Sequence, residues 1–361
     1  MTAYMKLYLS LREKITDHIY RFGQKLPSKR QLAEESGVSV ITVEHAYDLL
    51  SEEGYVESRE RSGYFVIYKE TDAYPVGRVQ APIDRNTIGT IPVEQREEGE
   101  RDLFPFSRFA KTMRYVLSMY GEKILDPSPR KGCLELREAI ASYLGRSRNM
   151  AVSPDQILIG SGAEYLYGLN VQVLGRDRIY ALENPSYEKI RKVYEASGAA
   201  VELLSMGQDG IRTEELARSR ASVLHVTPFN SYPSGITASA SKRAEYIRWA
   251  KERGGYIIED DFDSEFTLLS KPEDTLFSLD PEGSVIYMNT FSKTIAPSVR
   301  AGYLVLPRPW VAVYEKKVGF YSCTVPVFDQ LVLAEFMNRG HFERHINRVR
   351  RRRKKREQEE R

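Results

Sequence analysis

The chain has 361 residues, 42% of them hydrophobic and 29% charged, and 53 lysines and arginines against 50 aspartates and glutamates leave a formal charge of +3. That length admits two domains with substantial cores, and so small a net charge gives no whole-chain argument for nucleic-acid binding. Two cysteines, Cys133 and Cys323, provide neither a disulfide framework nor metal-ligand spacing, and no apolar window reads as a signal segment or membrane span, so a cytoplasmic protein is expected.

The first predicted element opens with Ser28 as N-cap and Gln31 three residues on, a capping-box pattern, and Gly37 supplies a left-handed stop. A second helix starts at the cap residue Ser39. It carries Val43, Ala46, Tyr47 and Leu50 on one face and closes at Glu53 and Gly54. Residues 55–58 and 63–67 are β-prone and predict a hairpin. Two short helices about a glycine turn, followed by a hairpin, make a winged helix-turn-helix. Its charges nearly cancel, because Glu34, Glu35, Glu44, Asp48, Glu52 and Glu53 offset Lys25, Lys29, Arg30, Arg59 and Arg61. DNA affinity depends on phosphate neutralisation, so the basic residues must gather on one side. Ser28, Lys29 and Arg30 at the helix opening and Arg59 and Arg61 in the wing are the candidate contacts.

The run LPSKRQLAEESGVSVITVEHAYDLLSEEGYVESRERSGYFV resembles the GntR-type winged helix. In that family a basic residue often follows the serine that caps the recognition helix and another stands near its middle; here the positions hold Val40 and Glu44. Base reading is thus left to Ser39, Ile41, Thr42 and His45, through hydroxyl bonds and contact with thymine methyls. His45 reads equally well as a solvated surface residue.

Residues 70–102, with Pro75, Pro82, Pro92 and a charged run, read as an extended linker between a head, 1–69, and a body, 103–361. The body opens on an amphipathic helix marked by Phe109, Met113, Val116 and Leu117. An apolar strand, 156–159, then leads through Gly160, Ser161, Gly162 and Ala163 into a helical pattern. Backbone N–H groups at such a helix start bind phosphate, although many tight turns hold glycine for geometry alone. Strands are predicted at 179–182, 200–204, 223–226, 256–259 and 285–288, with helices at 189–197 and 241–253 between them. This alternation predicts an α/β body, a mostly parallel sheet covered by helices. An acid cluster follows the strand 256–258, where ligands sit in open α/β sheets. Farther on, Lys293 stands among Thr290, Ser292 and Arg300, two hydroxyls and a fork for a phosphate dianion beside a lysine amine.

A lone Ser-x-Lys recurs by chance, but the ordered series of phosphate turn, ENPSY, TPFNSYPSG, EDDFDSEF and TFSKTIAPSVR resembles the fold-type I, class I/II aminotransferase domain. The resemblance implies pyridoxal phosphate as cofactor, Lys293 as its imine-forming catalytic lysine and Asp260 as partner of the pyridine nitrogen. It assigns the phosphate to Ser161, Gly162, Ala163, Thr290, Ser292 and Arg300, and puts Tyr187 near the ring. A GntR-like head on an aminotransferase-like body is similar to the MocR/GabR group of bacterial regulators. That group implies a homodimer that holds operator DNA and responds to pyridoxal phosphate or its adduct with a small amino compound.

Two departures bear on turnover. Phe262 stands where the group usually has a tyrosine that bonds the cofactor's ring oxygen, so the imine is expected to keep its proton to higher pH. Tyr232 is a candidate replacement. The chain also closes in a basic run within what the family makes a long helix, ahead of a small domain that carries a carboxylate-gripping arginine. The body is accordingly expected to be C-terminally incomplete, with little steady-state formation of keto acid, and Lys189 or Arg191 as a partial substitute. Residues 350–356 are expected to be the exposed face of that helix. A working aminotransferase with a DNA-binding module, and a regulator with a cofactor-free body, are the alternatives.

Overall fold

The computed structural model describes residues 2–60, 62–69, 103–266, 274–280 and 283–359. The proposed linker, 70–102, and Arg61 lie outside the described residues. The chain divides into two compact units, Met1–Val93 and Glu94–Arg361.

The first unit adds an N-terminal helix, α1 (Ala3–Thr16), that was not foreseen, to the two expected ones, α2 (Lys29–Ser36) and α3 (Val40–Glu52). Strands β1 (Val56–Arg59) and β2 (Gly63–Val66) pair antiparallel as the wing. Both caps form as expected: Ser28 Oγ accepts from the Gln31 N–H at 3.2 Å and Ser39 Oγ from the Thr42 N–H at 3.1 Å. The reciprocal half of the capping box does not, because the Gln31 side chain turns to Glu35 at 2.9 Å, its neighbour one turn on. Gly37, at φ 64°, ends α2 in the left-handed conformation. Leu11, Ile15, Leu32, Val43, Tyr47, Leu50, Val56 and Val66 form one core, so the helical spacing read from α3 is its buried face.

The second unit is built on seven strands: β3 (Ile157–Gly160), β4 (Ile179–Asn184), β5 (Ala200–Ser205), β6 (Val223–Val226), β7 (Tyr256–Asp260), β8 (Val285–Thr290) and β9 (Gly302–Val305). Their order is β3-β9-β8-β7-β6-β4-β5, parallel except for β9, which runs antiparallel to both β3 and β8. The expected mostly parallel sheet is therefore present, with one reversed strand that sequence reading did not separate. Alternate residues feed opposite faces: Ile157, Ile159, Tyr287 and Val305 enter one core, whereas Leu158, Ile286, Met288 and Leu304 enter another. Period-two burial on both faces explains why these strands read as unbroken apolar runs.

The final helix, His341–Glu359, buries Phe342, His345, Ile346 and Val349. Its basic run is not wholly the exposed face expected. Arg350 Nε donates to the Glu265 carbonyl at 2.5 Å, and the Arg353 guanidinium lies 4.7 Å from the Phe266 ring centre. Among the described residues no helix is long and apolar enough to cross a membrane, and no group of three or more potential metal ligands occurs.

Candidate functional site

The sheet register gathers the predicted site. Gly160, at the end of β3, and Thr290, at the end of β8, both pair with Gly302 of β9, so the turn through Ser161, Gly162 and Ala163 and the turn through Ser292 and Lys293 leave the sheet at one level. A side chain at Gly302 has no room, since a Cβ there would lie 2.9 Å from the Asn289 carbonyl oxygen and 2.9 Å from Thr290 Cγ2. Asp260 ends β7 opposite Met288 of β8. Three segments far apart in sequence thus meet at the carboxyl edge of the parallel strands.

The acid at that edge is held from behind. Asp260 is buried, and its Oδ2 accepts from the Tyr167 hydroxyl at 2.6 Å with His225 Nε2 3.5 Å away. Burial, reinforced by the charge of Asp260, holds the Tyr167 phenol well above its usual value, so it stays a donor. Tyr194 meets the other face of this set through its hydroxyl, 2.6 Å from His225 Nδ1. Sequence reading missed Tyr167, Tyr194 and His225. The signal for His225 was present: a lone polar residue in the buried strand VLHV needs partners.

At the turn after β3, Gly162 adopts φ 90°, and a Cβ there would lie 3.1 Å from the Arg300 guanidinium carbon. Arg300 itself has φ 44° and pairs with Glu164 at 2.9 Å. The Ser161 N–H is taken by Thr324 Oγ1 at 3.1 Å, a partner not anticipated. Ala163 begins the helix Ala163–Leu174. Thr290 is buried and Ser292 half-buried. The rings of Tyr187 and Tyr232 meet edge to face at 6.1 Å, with Lys189 Nζ 5.6 Å from the Tyr187 ring centre. The Lys293 side chain is 42% exposed; its Nζ sits 5.6 Å from the Phe262 ring centre and 3.7 Å from Asp263 Oδ1.

Two further carboxylates lie buried in this unit. Burial pushes Glu183 up to about 8 against the opposing hydrogen bond from Ser231, 2.6 Å away, and pushes Glu259 up to about 8 as well. Glu259 accepts the Leu276 and Phe277 N–H groups at 2.9 Å each, which ties the short helix Leu276–Leu279, between β7 and β8, to β7.

In the head, Ser39, Ile41 and His45 are exposed along the start of α3, and Thr42 is half-buried. His45 stands edge to face with Tyr4 of α1 at 5.9 Å. The basic residues are not all available. Lys29 Nζ pairs with Glu44 at 2.5 Å, and that hydrogen bond raises the lysine's pKa, while Arg59 pairs with Glu57 at 2.5 Å and lies 4.4 Å from the Phe65 ring centre. Arg30 is exposed. Glu44→Gln is expected to tighten binding to duplex DNA several-fold and to steepen its loss with salt by about one unit of log K against log salt, because Lys29 then turns to a phosphate. Fluorescence anisotropy over a salt series reads both, and an unchanged slope removes Lys29 from the interface.

Comparison with known proteins agrees with both units. Residues 3–66 match the bacterial regulatory proteins of the gntR family, and residues 105–360 match aminotransferase class I and II. The chain is 34% identical over 96% of its length to the uncharacterized HTH-type transcriptional regulator YdeL of Bacillus subtilis (strain 168), 76% of which is covered. It is 30% identical, over 96% of its length and 74% of the relative, to the probable rhizopine catabolism regulatory protein MocR of Rhizobium meliloti. Among solved structures, LysN, an α-aminoadipate aminotransferase from Thermus thermophilus complexed with N-(5'-phosphopyridoxyl)-L-leucine, superposes with a TM-score of 0.62 at 28% identity. That match covers 69% of this chain and spans 64% of that structure's length.

Proposed function

Since the chain belongs to the aminotransferase class I and II family and, with its gntR-family head, to the HTH-type DNA-binding transcriptional regulators, we propose that its body holds pyridoxal phosphate and reports an amino compound to the operator. The observation that carries this reading is the meeting across Gly302 of the phosphate turn and the lysine turn, with Asp260 beside them.

The residues fit the cofactor. A buried acid suits a protonated pyridine nitrogen, a glycine in the turn lies against a guanidinium as a phosphate cradle needs, and an amine stands on the adjoining turn. Pyridoxal phosphate, when bound, supplies a carbonyl that condenses with amines and a ring that withdraws electrons. Asp260 then holds a proton at the ring nitrogen, itself kept in place by the Tyr167 hydroxyl. Arg300, Thr290, Ser292 and the turn through Ser161, Gly162 and Ala163 would take the phosphate, although the Ser161 and Gly162 N–H groups are bonded to Thr324 Oγ1 and the Gly160 carbonyl. Tyr187 would lie near the ring, Tyr232 would offer the hydroxyl that Phe262 lacks, and Lys293 would supply the nucleophile.

The regulator is read as a cytoplasmic homodimer. Phe106, Met119, Leu125 and Phe320 are exposed apolar side chains of the body, and a second copy is the partner that would cover them. Two copies also let two heads read two half-sites.

The test starts from duplexes selected by the protein out of a random-sequence pool. Their affinity is measured with and without pyridoxal phosphate, and again with amino compounds added. Coupling of ordinary size changes the affinity by about 5-fold or more. Unchanged affinity with the cofactor demonstrably bound ends the sensor reading, and sustained keto-acid formation above a Lys293→Ala blank promotes the aminotransferase reading instead.

A further inference from the structure

The carboxylate that reaches Lys293 is not Asp260 but Asp263, three residues on. Asp263 is buried, and its Oδ2 accepts from Asn230 Nδ2 at 2.7 Å. Its Oδ1 makes no hydrogen bond although it is shut off from solvent. Two cations stand beside that oxygen: Lys293 Nζ at 3.7 Å and Arg353 Nη1 at 3.8 Å. A buried, unpartnered carboxylate oxygen is costly to keep, so it draws on whichever cation comes nearer.

The two cations arrive on different elements. Lys293 is fixed by the turn after β8, whereas Arg353 belongs to the helix His341–Glu359 and stacks on Phe266 at 4.7 Å. That helix is seated by Phe342, Ile346 and Val349 and by the bond from Arg350 to the Glu265 carbonyl. Among the described residues no other acid lies within ion-pair distance of Lys293. Asp261 pairs with Arg148 at 2.9 Å and accepts from Tyr287 at 2.7 Å, and Glu265 accepts from Asn289 at 2.7 Å. The Phe262 ring on the lysine carries no titrating group.

We propose that Asp263 is a positioning residue that holds the Lys293 nitrogen as a cation, and that Arg353 competes for the same oxygen, so that the seat of the C-terminal helix sets how firmly that nitrogen keeps its proton. The proposal deepens the cofactor reading, and half of its test is independent of it. The carboxylate takes over a task near the lysine at a site where Phe262 offers no hydroxyl. Its grip weakens as the guanidinium closes on it and strengthens as the helix withdraws.

Opposite signs decide the matter. In cofactor-free protein at one neutral pH, trace labelling with acetic anhydride and mass spectrometry reads the fraction of Lys293 present as free amine. Asp263→Asn is expected to label about 3-fold faster and Arg353→Gln about 3-fold slower, with Arg353→Lys near the unaltered rate, as a shift of about half a unit in the proton equilibrium requires. With pyridoxal phosphate added, the midpoint of the absorbance titration should move to lower pH in Asp263→Asn and to higher pH in Arg353→Gln. A merely structural role moves both variants the same way. Shifts of one sign, or none, overturn the proposal. If no cofactor band forms in the unaltered protein, the cofactor reading fails by itself and the labelling rates still decide this one.

Discussion

Lys293→Ala protein, mixed with pyridoxal phosphate and reduced with borohydride, is expected to carry no fixed adduct, where the unaltered chain carries one that peptide mapping assigns to Lys293. The substitution removes the amine on the turn after β8 and leaves Asp260, the Gly162 turn and Arg300 in place. Residual binding by phosphate and ring contacts should persist but weaken by on the order of 100-fold, about 2.8 kcal/mol. Asp263, left without its nearer cation, draws on Arg353, so the variant should still fold. An adduct of undiminished yield that maps elsewhere, for instance to Lys189 beside Tyr187, would move the site from the lysine turn to the helix Glu188–Ala196.

Tyr47→Ala should abolish DNA binding while leaving the body's cofactor spectrum unchanged. The Tyr47 ring is fully buried in the head and packs at a tilt against Tyr64, ring centres 4.7 Å apart, and its hydroxyl donates to the Pro27 carbonyl at 2.8 Å. Truncating a core aromatic costs about 3 to 5 kcal/mol, and a unit this small has little reserve. The expected result is a head that melts below working temperature, read by limited proteolysis and by loss of affinity for the selected duplex. Tyr47→Phe keeps the ring and gives up the bond to Pro27, a loss of about 1 kcal/mol, and should still bind DNA at low temperature. Full affinity in the alanine variant would show that the head's stability rests elsewhere.

Local regularities carried most of the fold into view from sequence. The cap serines, the left-handed Gly37 and the one-sided spacing of Val43, Ala46, Tyr47 and Leu50 act within a turn or two, and each forms as its local chemistry dictates. The buried strands were equally legible, because both faces demand apolar residues. What escaped depends on distant partners. Nothing in Gly302–Val305 says that it will reverse between two parallel neighbours, and the choice is made by pairing with β3 and β8. Lys29 reads as a phosphate contact until α3 brings Glu44 against it. In Asp260-Asp261-Phe262-Asp263 the residue types are plain but their directions are not, since the chain leaves the strand there and period-two alternation lapses. Asp260 turns to Tyr167, Asp261 to Arg148 and Asp263 to Lys293, three destinations for one acidic run. Arg353 looked like solvated charge because its partner belongs to that same run, far back in the chain.

The shared pairing of Gly160 and Thr290 with Gly302 leaves no slack between the two turns, since even a methyl group on the central strand would collide with Asn289 and Thr290. A site clamped in this way behaves as an anvil rather than a hinge: a ligand that strikes it cannot be registered by sliding one turn past the other. On the proposed sensor reading, the message would leave through parts that are free to take two positions, meaning side chains with a choice of partners and the helices that carry them. Substitutions that loosen the clamp should therefore blur the signal and the binding together, whereas those on the surrounding helices should change the signal and spare the binding.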